Sequence, residues 1–310
     1  MKLLVTGSAS HLARACLPVL LDDSRIHHIT GVDLKPSGIS HGKYREQLLD
    51  IRSNELARHF AGIDAVIHLA FVVNSGTLGH QRFDRAYIRG VNVEGSKNVF
   101  DQAARNAVQT LIHLSSAIVY GMDKGNPQFI TEEQPLKPVK DFYYSEDKVA
   151  VEQWLDEFEQ QHPALRVVRF RPQVILGENT QPLVKALLRW PCYFMFDDPQ
   201  PLTQCVSEVD VATAMIQGLV KEVRGSFNLA TDQVASLFLI QQHLRHYSLP
   251  LPFGLAKQVH QWGWRYTGRY GDPAWLDCLR YSLTIDNEKA KRELNWAPTL
   301  DLFECLDATV

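Results

Sequence analysis

The feature that most constrains the fold is an alternation of short apolar runs with longer segments of helical periodicity. The apolar runs, typical of buried parallel strands, lie at residues 2–6, 29–34, 65–70, 111–115 and 166–170. The segments between them predict helices at 11–21, 54–60, 83–107 and 144–161. Together they predict an α/β chain with a doubly wound parallel sheet. Because ligands of such sheets bind beyond the carboxyl ends of the strands, the residues after each run are the candidate site.

Composition narrows the class of protein. The chain has 310 residues, 45% of them hydrophobic and 22% charged, with a formal net charge of -3. These values are typical of a globular protein with a sizeable core, and they give no electrostatic case for nucleic acid as a partner. No apolar run approaches the ~18 residues that span a bilayer, and no signal peptide precedes the first strand. We therefore expect no integral membrane association.

The spacing of the cysteines and histidines argues against disulfide bonds and metal sites. The five cysteines are scattered without a Cys-x-x-Cys pair, which favours free thiols and a cytoplasmic location. The twelve histidines include no His-Glu-x-x-His or comparable ligand spacing, so we expect no catalytic metal.

A turn of small residues follows the first apolar run. A dinucleotide-binding turn uses glycine for the tight bend, for close approach of the pyrophosphate and for packing of helix on strand. Here only Gly7 remains, Ala13 occupies the packing position, and Ser10 stands where backbone and phosphate should nearly touch. A turn that binds nothing is the alternative to a cofactor site.

Carboxylates after two later runs extend the candidate cofactor site. Asp33 ends the second run, where a carboxylate can accept both ribose hydroxyls of a dinucleotide. The Asp33 carboxylate favours NAD over NADP, because it would repel the 2'-phosphate of NADP. Lys35 nearby leaves NADP as the less favoured alternative. An Asp that only closes a strand is the alternative. Asp50 and Ile51 follow another short run and could flank an adenine ring.

Residues 141–151 supply the candidate chemistry. In a helix, Tyr144 and Lys148 would lie on one face about a turn apart. A phenol titrates near ~10, so a tyrosine that acts as acid or base near neutral pH needs a neighbouring cation. Tyr120 and Lys124 share this spacing, but the glycine between them predicts a turn. A half-buried tyrosine of an amphipathic helix is the alternative for Tyr144.

Further motifs connect these features with a known family. They are His68-Leu69-Ala70, Asn92-Val93-Glu94-Gly95-Ser96 and Leu114-Ser115-Ser116-Ala117-Ile118-Val119-Tyr120-Gly121. With them the chain resembles the extended short-chain dehydrogenase/reductases, the NAD-dependent epimerase/dehydratase family, from Leu3 to Pro298. The resemblance implies an NAD-binding Rossmann-type domain at 1–172 and a smaller C-terminal α/β substrate lobe at 173–310, with some segments returning to the sheet. It also implies a homodimer through the helices at 83–107 and 144–161.

The resemblance implies a catalytic trio and a cofactor shell. Ser116 would hydrogen-bond the reacting oxygen, Tyr144 would exchange the proton, and Lys148 would hold the nicotinamide ribose and favour the tyrosinate. The implied cofactor-binding residues are Gly7, Ser10, His11, Leu12, Asp33, Asp50, Ile51, Leu69, Ala70, Asn92, Tyr144, Lys148 and Arg171.

Departures from the family pattern bear on the small-molecule substrate. Nucleotide-sugar members usually have an asparagine near Gln173 and a phosphate-binding arginine near Thr203, and sugar dehydratases have an Asp-Glu pair where Ala117 and Ile118 stand. We predict an NAD-dependent oxidoreductase that interconverts a secondary alcohol and a ketone, acting on an apolar alcohol or a non-nucleotide sugar. A nucleotide-sugar 4-epimerase with tightly held NAD and a non-catalytic dinucleotide-binding regulatory protein are the alternatives.

Three later segments complete the predictions. Residues 208–220 predict a helix and 226–229 a strand. The stretch 249–264 is strongly apolar, and we expect it to pack in the core of the smaller lobe, with a pocket wall or a membrane-docking surface as alternatives.

Overall fold

The computed structural model describes residues 1–73, 84–195, 201–267, 274–277 and 279–310. Its strands in these residues are β1 (Lys2–Thr6), β2 (His28–Asp33), β3 (Tyr44–Leu48), β4 (Ala65–His68), β5 (Thr110–Leu114), β6 (Arg166–Pro172), β7 (Val174–Leu176), β8 (Cys192–Met195), β9 (Leu202–Thr203), β10 (Cys205–Ser207), β11 (Gly225–Leu229), β12 (Ala235–Ser236) and β13 (Tyr247–Pro250). The α-helices are α1 (His11–Asp22), α2 (Arg85–Arg89), α3 (Ser96–Arg105), α4 (Tyr143–Gln161), α5 (Pro182–Arg189), α6 (Glu208–Val220), α7 (Leu237–His243), α8 (Phe253–Thr267), α9 (Ala274–Asp277) and α10 (Leu302–Asp307). Segments of 3-10 helix lie at Asn54–His59 and Ala117–Tyr120, and segments of π-helix at Gly90–Gly95 and Ala290–Leu294.

Seven strands form one parallel sheet in the order β11-β6-β5-β4-β1-β2-β3. The chain winds outward from β1 to β3 and then crosses to β4 on the other side of β1. In the register, Thr6 lies beside Val32 on one side and beside His68 on the other, so these strands end at one edge of the sheet. The predicted doubly wound, Rossmann-type sheet is confirmed, and its switch point lies between β1 and β4.

Both faces of the sheet are covered, which explains why the strands read as continuous apolar runs. Successive side chains of a strand point to opposite faces. Leu3 and Val5 therefore pack in one buried cluster with Leu17 of α1, whereas Leu4 packs in a second cluster with Phe100 of α3. Burial on both faces fixes the register of β1, because a slip of one residue would exchange the two sets.

Most predicted elements are present with boundaries shifted by one or two residues. The predicted helix at 83–107 consists of α2, the π-helical segment and α3 in succession, and residue 83 lies outside the described residues. Strand β3 was not predicted, because its sequence Tyr-Arg-Glu-Gln-Leu is mostly polar. Such a pattern suits an edge strand, of which only Tyr44 is buried.

The smaller lobe contains short strand pairs, β7 with β10, β9 with β12 and β8 with β13. The expectation that residues 249–264 pack in its core holds for only part of the stretch, in which Ala256 is buried and Phe253 and Trp264 are half-buried. Within α8, Leu255, Val259, Trp262 and Tyr266 are 50%, 63%, 70% and 80% exposed. The reason is that α8 turns its opposite face, which carries Ala256, towards the lobe.

In the parts of the chain that the structure describes, the helices are too short or too polar to cross a bilayer. The same residues hold no cluster of three or more His, Cys, Asp and Glu side chains arranged to bind a metal ion. Cys16, Cys192, Cys205 and Cys305 are free thiols, and Cys278 lies outside the described residues.

Candidate active site

A cleft of about 550 Å³ lies between the carboxyl ends of the central strands and the smaller lobe. Its floor includes three residues of the first turn and helix, which are Ser10, His11 and Leu12. The predicted trio of Ser116, Tyr144 and Lys148 lines its centre, and residues of the lobe form the opposite wall. The sheet edge and the lobe thus enclose one site in which the predicted chemical groups meet.

Gly7 occupies a position that only glycine can take. Its φ is +74°, and a Cβ there would lie 2.5 Å from the amide nitrogen of Ala70. The Gly7 amide also donates a hydrogen bond to the Val32 carbonyl at 2.8 Å. The turn after β1 therefore lies tightly against the end of β4, which brings Gly7, Leu69 and Ala70 together as predicted.

Ser10 has a structural role in the same turn. Its φ of -69° is an ordinary value, and its Oγ accepts a hydrogen bond from the Ala13 amide at 3.2 Å. Ser10 is thus the N-cap of α1, and it keeps the first turn of that helix regular. Ala13 is fully buried, which suits close packing of the helix on the sheet.

Asp33 lies beside this turn. Its carboxylate accepts hydrogen bonds from the backbone amides of Ala9 at 3.0 Å and Lys35 at 3.2 Å, and each oxygen retains acceptor capacity. A carboxylate next to a glycine turn and a helix N-terminus suits the ribose and pyrophosphate of a dinucleotide. These residues therefore fit the adenosine half of NAD.

Asp50 and Ile51 lie at the next strand end. Asp50 forms an ion pair of 2.6 Å with Arg52, and this hydrogen-bonded pair lowers the pKa of the carboxyl. Ile51 is buried against Gly95, where a Cβ would lie 2.7 Å from the Ile51 Cδ1. Close packing against Ile51 therefore explains why residue 95 of the Asn92–Ser96 motif is a glycine.

Asn92 acts through the backbone of the cleft wall. Its Oδ1 accepts from the Val72 amide at 2.7 Å, and its Nδ2 donates to the Val72 carbonyl at 3.1 Å. The same Nδ2 lies 3.2 Å from an oxygen of Asp147, which is fully buried and pairs with Arg85 and Arg89. Asn92 thereby fixes the chain beside Phe71, which lines the cleft.

Arg171, which the resemblance assigns to the cofactor shell, lies in a buried ion-pair network. The Arg171 side chain is 5% exposed and pairs with Glu152 at 2.5 Å. It also donates to the Tyr120 hydroxyl at 2.9 Å, and it is not among the residues that line the cleft. Glu152 in turn accepts from the Ser115 hydroxyl. Arg171 therefore belongs to a buried network that joins β6, α4 and β5 beneath the site.

The predicted trio comes from two elements. Ser116 precedes the 3-10 segment after β5 and caps it, since its Oγ accepts from the Ile118 amide at 3.3 Å. Tyr144 lies in the first turn of α4 and Lys148 one turn later. Burial raises the pKa of Tyr144, and a hydrogen bond with Ser116 opposes that rise.

Lys148 is held at the end of β5. Its Nζ donates to the Leu114 carbonyl at 2.7 Å and lies 3.8 Å from the centroid of the Phe71 ring, but 6.0 Å from that of Tyr144. Burial lowers the pKa of Lys148 to about 7, although Glu152 and Asp147 oppose the shift. The pKa of Tyr144 is raised by burial rather than lowered as expected, and the Lys148 ammonium is not among the groups that oppose this rise.

The structure also adds residues that sequence reasoning missed. The ring of Trp275 lies 5.6 Å from that of Tyr144 and 4.8 Å from that of Phe142, and its indole lines the cleft. Glu208 lines the cleft as well. Neither carried a local signal, because both come from the lobe, far along the chain from the trio. By contrast, Tyr120 is buried and bonded to Asn228 at 2.7 Å, as expected for a structural tyrosine.

Known proteins resemble the chain over most of its length. An uncharacterized protein, y4nG, of Sinorhizobium fredii is 28% identical over 315 residues, covering 95% of this chain and 74% of that protein. The UDP-glucose 4-epimerase of Corynebacterium glutamicum is 24% identical over 323 residues, covering 96% and 91%. Among solved structures, MoeE5 in complex with UDP-glucuronic acid and NAD superposes with a TM-score of 0.77 at 21% identity, covering 100% of this chain and 97% of that one.

A family model places the chain. The model of the NAD dependent epimerase/dehydratase family matches residues 3–229, which include every strand of the seven-stranded sheet and the whole predicted trio. Structural neighbours at full coverage, such as the UDP-glucose 4-epimerase of Thermus thermophilus at a TM-score of 0.75 and 20% identity, are complexes with NAD. The predicted cofactor is thereby confirmed at the level of the family. The chain belongs to the NAD dependent epimerase/dehydratase family.

Proposed function

We propose that this protein is an NAD-dependent oxidoreductase that interconverts a secondary alcohol and a ketone, with Tyr144 as the acid and base. The observation that carries the substrate class is the charge of the cleft. Among the described residues that line it, Lys148 is the one lysine or arginine, and its Nζ is bonded to a strand end. The diphosphate of a nucleotide sugar calls for such cations. We therefore infer an uncharged substrate, an apolar alcohol or a non-nucleotide sugar.

The polar residues of the lobe support this choice. Gln173 donates its side-chain amide to the Leu283 carbonyl at 2.6 Å, so it is already engaged in the lobe. Thr203 lines the cleft where nucleotide-sugar members usually carry an arginine. Glu208 adds a carboxylate, which accepts from the Asn179 amide at 3.0 Å and would repel a phosphate.

The remaining wall of the cleft is apolar. It is formed by side chains that come from β7, α7 and the segments around α9, which are Val174, Ile175, Leu237, Trp275, Leu279 and Leu283. Burying apolar substrate surface here would contribute about 25 cal/mol per Å². Such a wall suits a hydrocarbon skeleton or the apolar face of a sugar ring.

The trio can move the proton that this reaction requires. When bound, NAD supplies the site that accepts or gives up the hydride. Ser116 and Tyr144 both line the cleft, so their hydroxyls can approach one substrate oxygen. The raised pKa of Tyr144 favours the protonated phenol, which suits donation of its proton to a ketone oxygen. In the reverse direction Tyr144 must first lose its proton to solvent, and the tyrosinate then accepts the hydroxyl proton of the alcohol.

The test is turnover of secondary alcohols and free sugars, followed as NADH formation, in the wild type and two variants. Tyr144→Phe should lower kcat by about 10² to 10⁴, because it removes the proton donor but keeps the ring. Tyr143→Phe is the matched control, since Tyr143 is buried in the same turn but does not line the cleft. Equal rates for the wild type and Tyr144→Phe would exclude Tyr144 as the acid and base.

Epimerisation at a sugar carbon is the second candidate. It is favoured by the similarity to a UDP-glucose 4-epimerase across 96% of this chain. An epimerase returns the hydride to the opposite face of the same substrate, so it should purify with NAD bound and need none added. A dehydrogenase must exchange its cofactor in each turnover. Nucleotide released from the denatured, purified protein distinguishes the two.

A non-catalytic regulatory protein, which Ser10 in the glycine turn suggests, stays an alternative, although the N-cap role gives Ser10 a structural function. A homodimer through α2, α3 and α4, a cytoplasmic location and a division at residue 172 stay predictions.

A further inference from the structure

The exposed face of α8 is apolar, and the proposed reaction does not use it. Leu255, Val259, Trp262 and Tyr266 follow one another at spacings of four, three and four residues. Residues at these spacings form one stripe along a helix, and all four are at least half exposed. Aliphatic residues normally occupy the buried stripe of such a helix. The side of α8 turned towards the lobe carries buried Ala256 and half-buried Phe253 and Trp264, and the half-buried Lys257 pairs with Asp277 at 2.8 Å.

The sequence segment that contains this stripe carries charges of one sign. From residue 233 to residue 271 the sequence contains no Asp or Glu, although it contains Arg245, Lys257, Arg265 and Arg269. The chain as a whole carries a formal charge of -3, so this segment departs from the average. Arg245 and Arg265 are exposed, and no carboxylate of the described residues forms an ion pair with either. Arg265 lies on α8 beside the apolar stripe, and Arg245 precedes α8 in the same carboxylate-free segment.

We propose that α8 is a docking surface for a membrane that contains anionic lipids. A helix with aromatic and aliphatic side chains on its outer face and basic residues beside them lies in the headgroup region of such bilayers. Tryptophan and tyrosine favour that depth because their rings are apolar and their N–H or O–H groups are polar. Arg245 and Arg265 would meet the lipid phosphates. This proposal does not depend on the proposed reaction.

Charge also argues against a second copy of the chain as the occupant. In a two-fold dimer the same patch would face itself. Each copy would bring cations and no carboxylate of the 233–271 segment to the interface, so the two patches would repel each other. An anionic bilayer offers both the apolar depth and the opposite charge.

The docking surface contacts the elements that form the wall of the cleft. Lys257 of α8 pairs with Asp277 of α9, and the Arg280 guanidinium lies 4.4 Å from the centroid of the Phe253 ring at the start of α8. Trp275 of α9 and Leu279 line the cleft itself. A bilayer bound at α8 would therefore lie on the outer side of the elements that carry the apolar wall.

The experiment is co-sedimentation of the full chain with vesicles of phosphatidylcholine alone or mixed equally with phosphatidylglycerol. The wild type should sediment with the mixed vesicles and not with phosphatidylcholine alone, and added salt should weaken binding. The double variant Trp262→Ser with Tyr266→Ser should lower the apparent affinity about tenfold or more, because it removes two inserted rings. The charge variant Arg245→Glu with Arg265→Glu should abolish the preference for phosphatidylglycerol.

Leu48→Ser is the matched control. Leu48 is 62% exposed on β3, the edge strand of the seven-stranded sheet opposite β11, and its replacement should leave vesicle binding unchanged. Thermal melts by circular dichroism establish that each variant is folded, as expected for exposed positions. No wild-type sedimentation, or equal sedimentation of the Trp262 and Tyr266 double variant, would overturn the proposal. A dimer that only this double variant dissociates would also overturn it, because a second copy would then cover the surface.

Discussion

Replacement of Gly7 by alanine tests the close approach on which the cofactor turn depends. The left-handed backbone at φ +74° costs alanine about 1 to 2 kcal/mol, and this is partly offset by the reduced entropy of the unfolded chain. The new Cβ would in addition lie 2.5 Å from the Ala70 amide nitrogen, which is closer than such atoms approach. Because that neighbour is backbone at the end of β4, it cannot rotate away, and overpacking of this kind costs roughly 1 to 3 kcal/mol more.

Gly62 provides the matched control. Its φ of +70° is nearly the same, and a Cβ there would meet nothing within 4 Å. Gly62→Ala should therefore lower the free energy of unfolding by about 1 kcal/mol, and Gly7→Ala by about 2 to 4 kcal/mol. Urea denaturation followed by circular dichroism measures both. If the two variants lose equal stability, the close contact between Gly7 and Ala70 does not exist as described.

Three further predictions concern charged groups. Lys148 has a folded pKa of about 7, against 10.5 for the free side chain, so between these values the unfolded state binds more protons and stability rises with pH. From pH 7 to pH 9 the free energy of unfolding should gain about 2 kcal/mol in the wild type relative to Lys148→Met, and an equal pH response of the two in urea titrations would contradict this. Glu152→Gln should cost about 3 kcal/mol in the same assay, because it leaves Arg171 buried with no carboxylate partner, and a loss below 1 kcal/mol would refute that role. In calorimetric titrations Asp33→Ala should weaken NAD and narrow its advantage over NADP, whereas an unchanged ratio would remove Asp33 from the site.

The sheet was predictable because its strands are buried on both faces. A run such as Leu3 to Val5 has few other interpretations between helical segments, so β1, β4, β5 and β6 were predicted within two residues. The edge strand β3 was not predicted, because a strand with one solvated side can be polar. For α8 the error was the opposite one. Its apolar side chains predict burial, and the structure exposes several of them.

The candidate site was predictable where the chemistry lies in short motifs at strand ends. Gly7 and Ser116 follow that pattern, and Tyr144 and Lys148 lie in a short motif at the start of α4. The contacts that these residues and their neighbours make could not be predicted from short motifs, because they join segments that are far apart in the chain. No local signal indicates that Arg171 pairs with Glu152 below the site, or that Trp275 packs beside Tyr144. The direction of the Tyr144 pKa depends on burial, which spacing along a helix cannot reveal.

The most direct test of the proposed reaction compares the amount of NADH formed with the amount of enzyme in the assay. The purified protein, stripped of any bound nucleotide, is mixed with excess NAD and with the alcohol or sugar that gives the best signal in the substrate screen. A dehydrogenase should accumulate NADH to many times the enzyme concentration, because each turnover releases the reduced cofactor. NADH that never exceeds one equivalent per enzyme, while an epimer of an added UDP-sugar accumulates, would contradict the account and establish the epimerase instead.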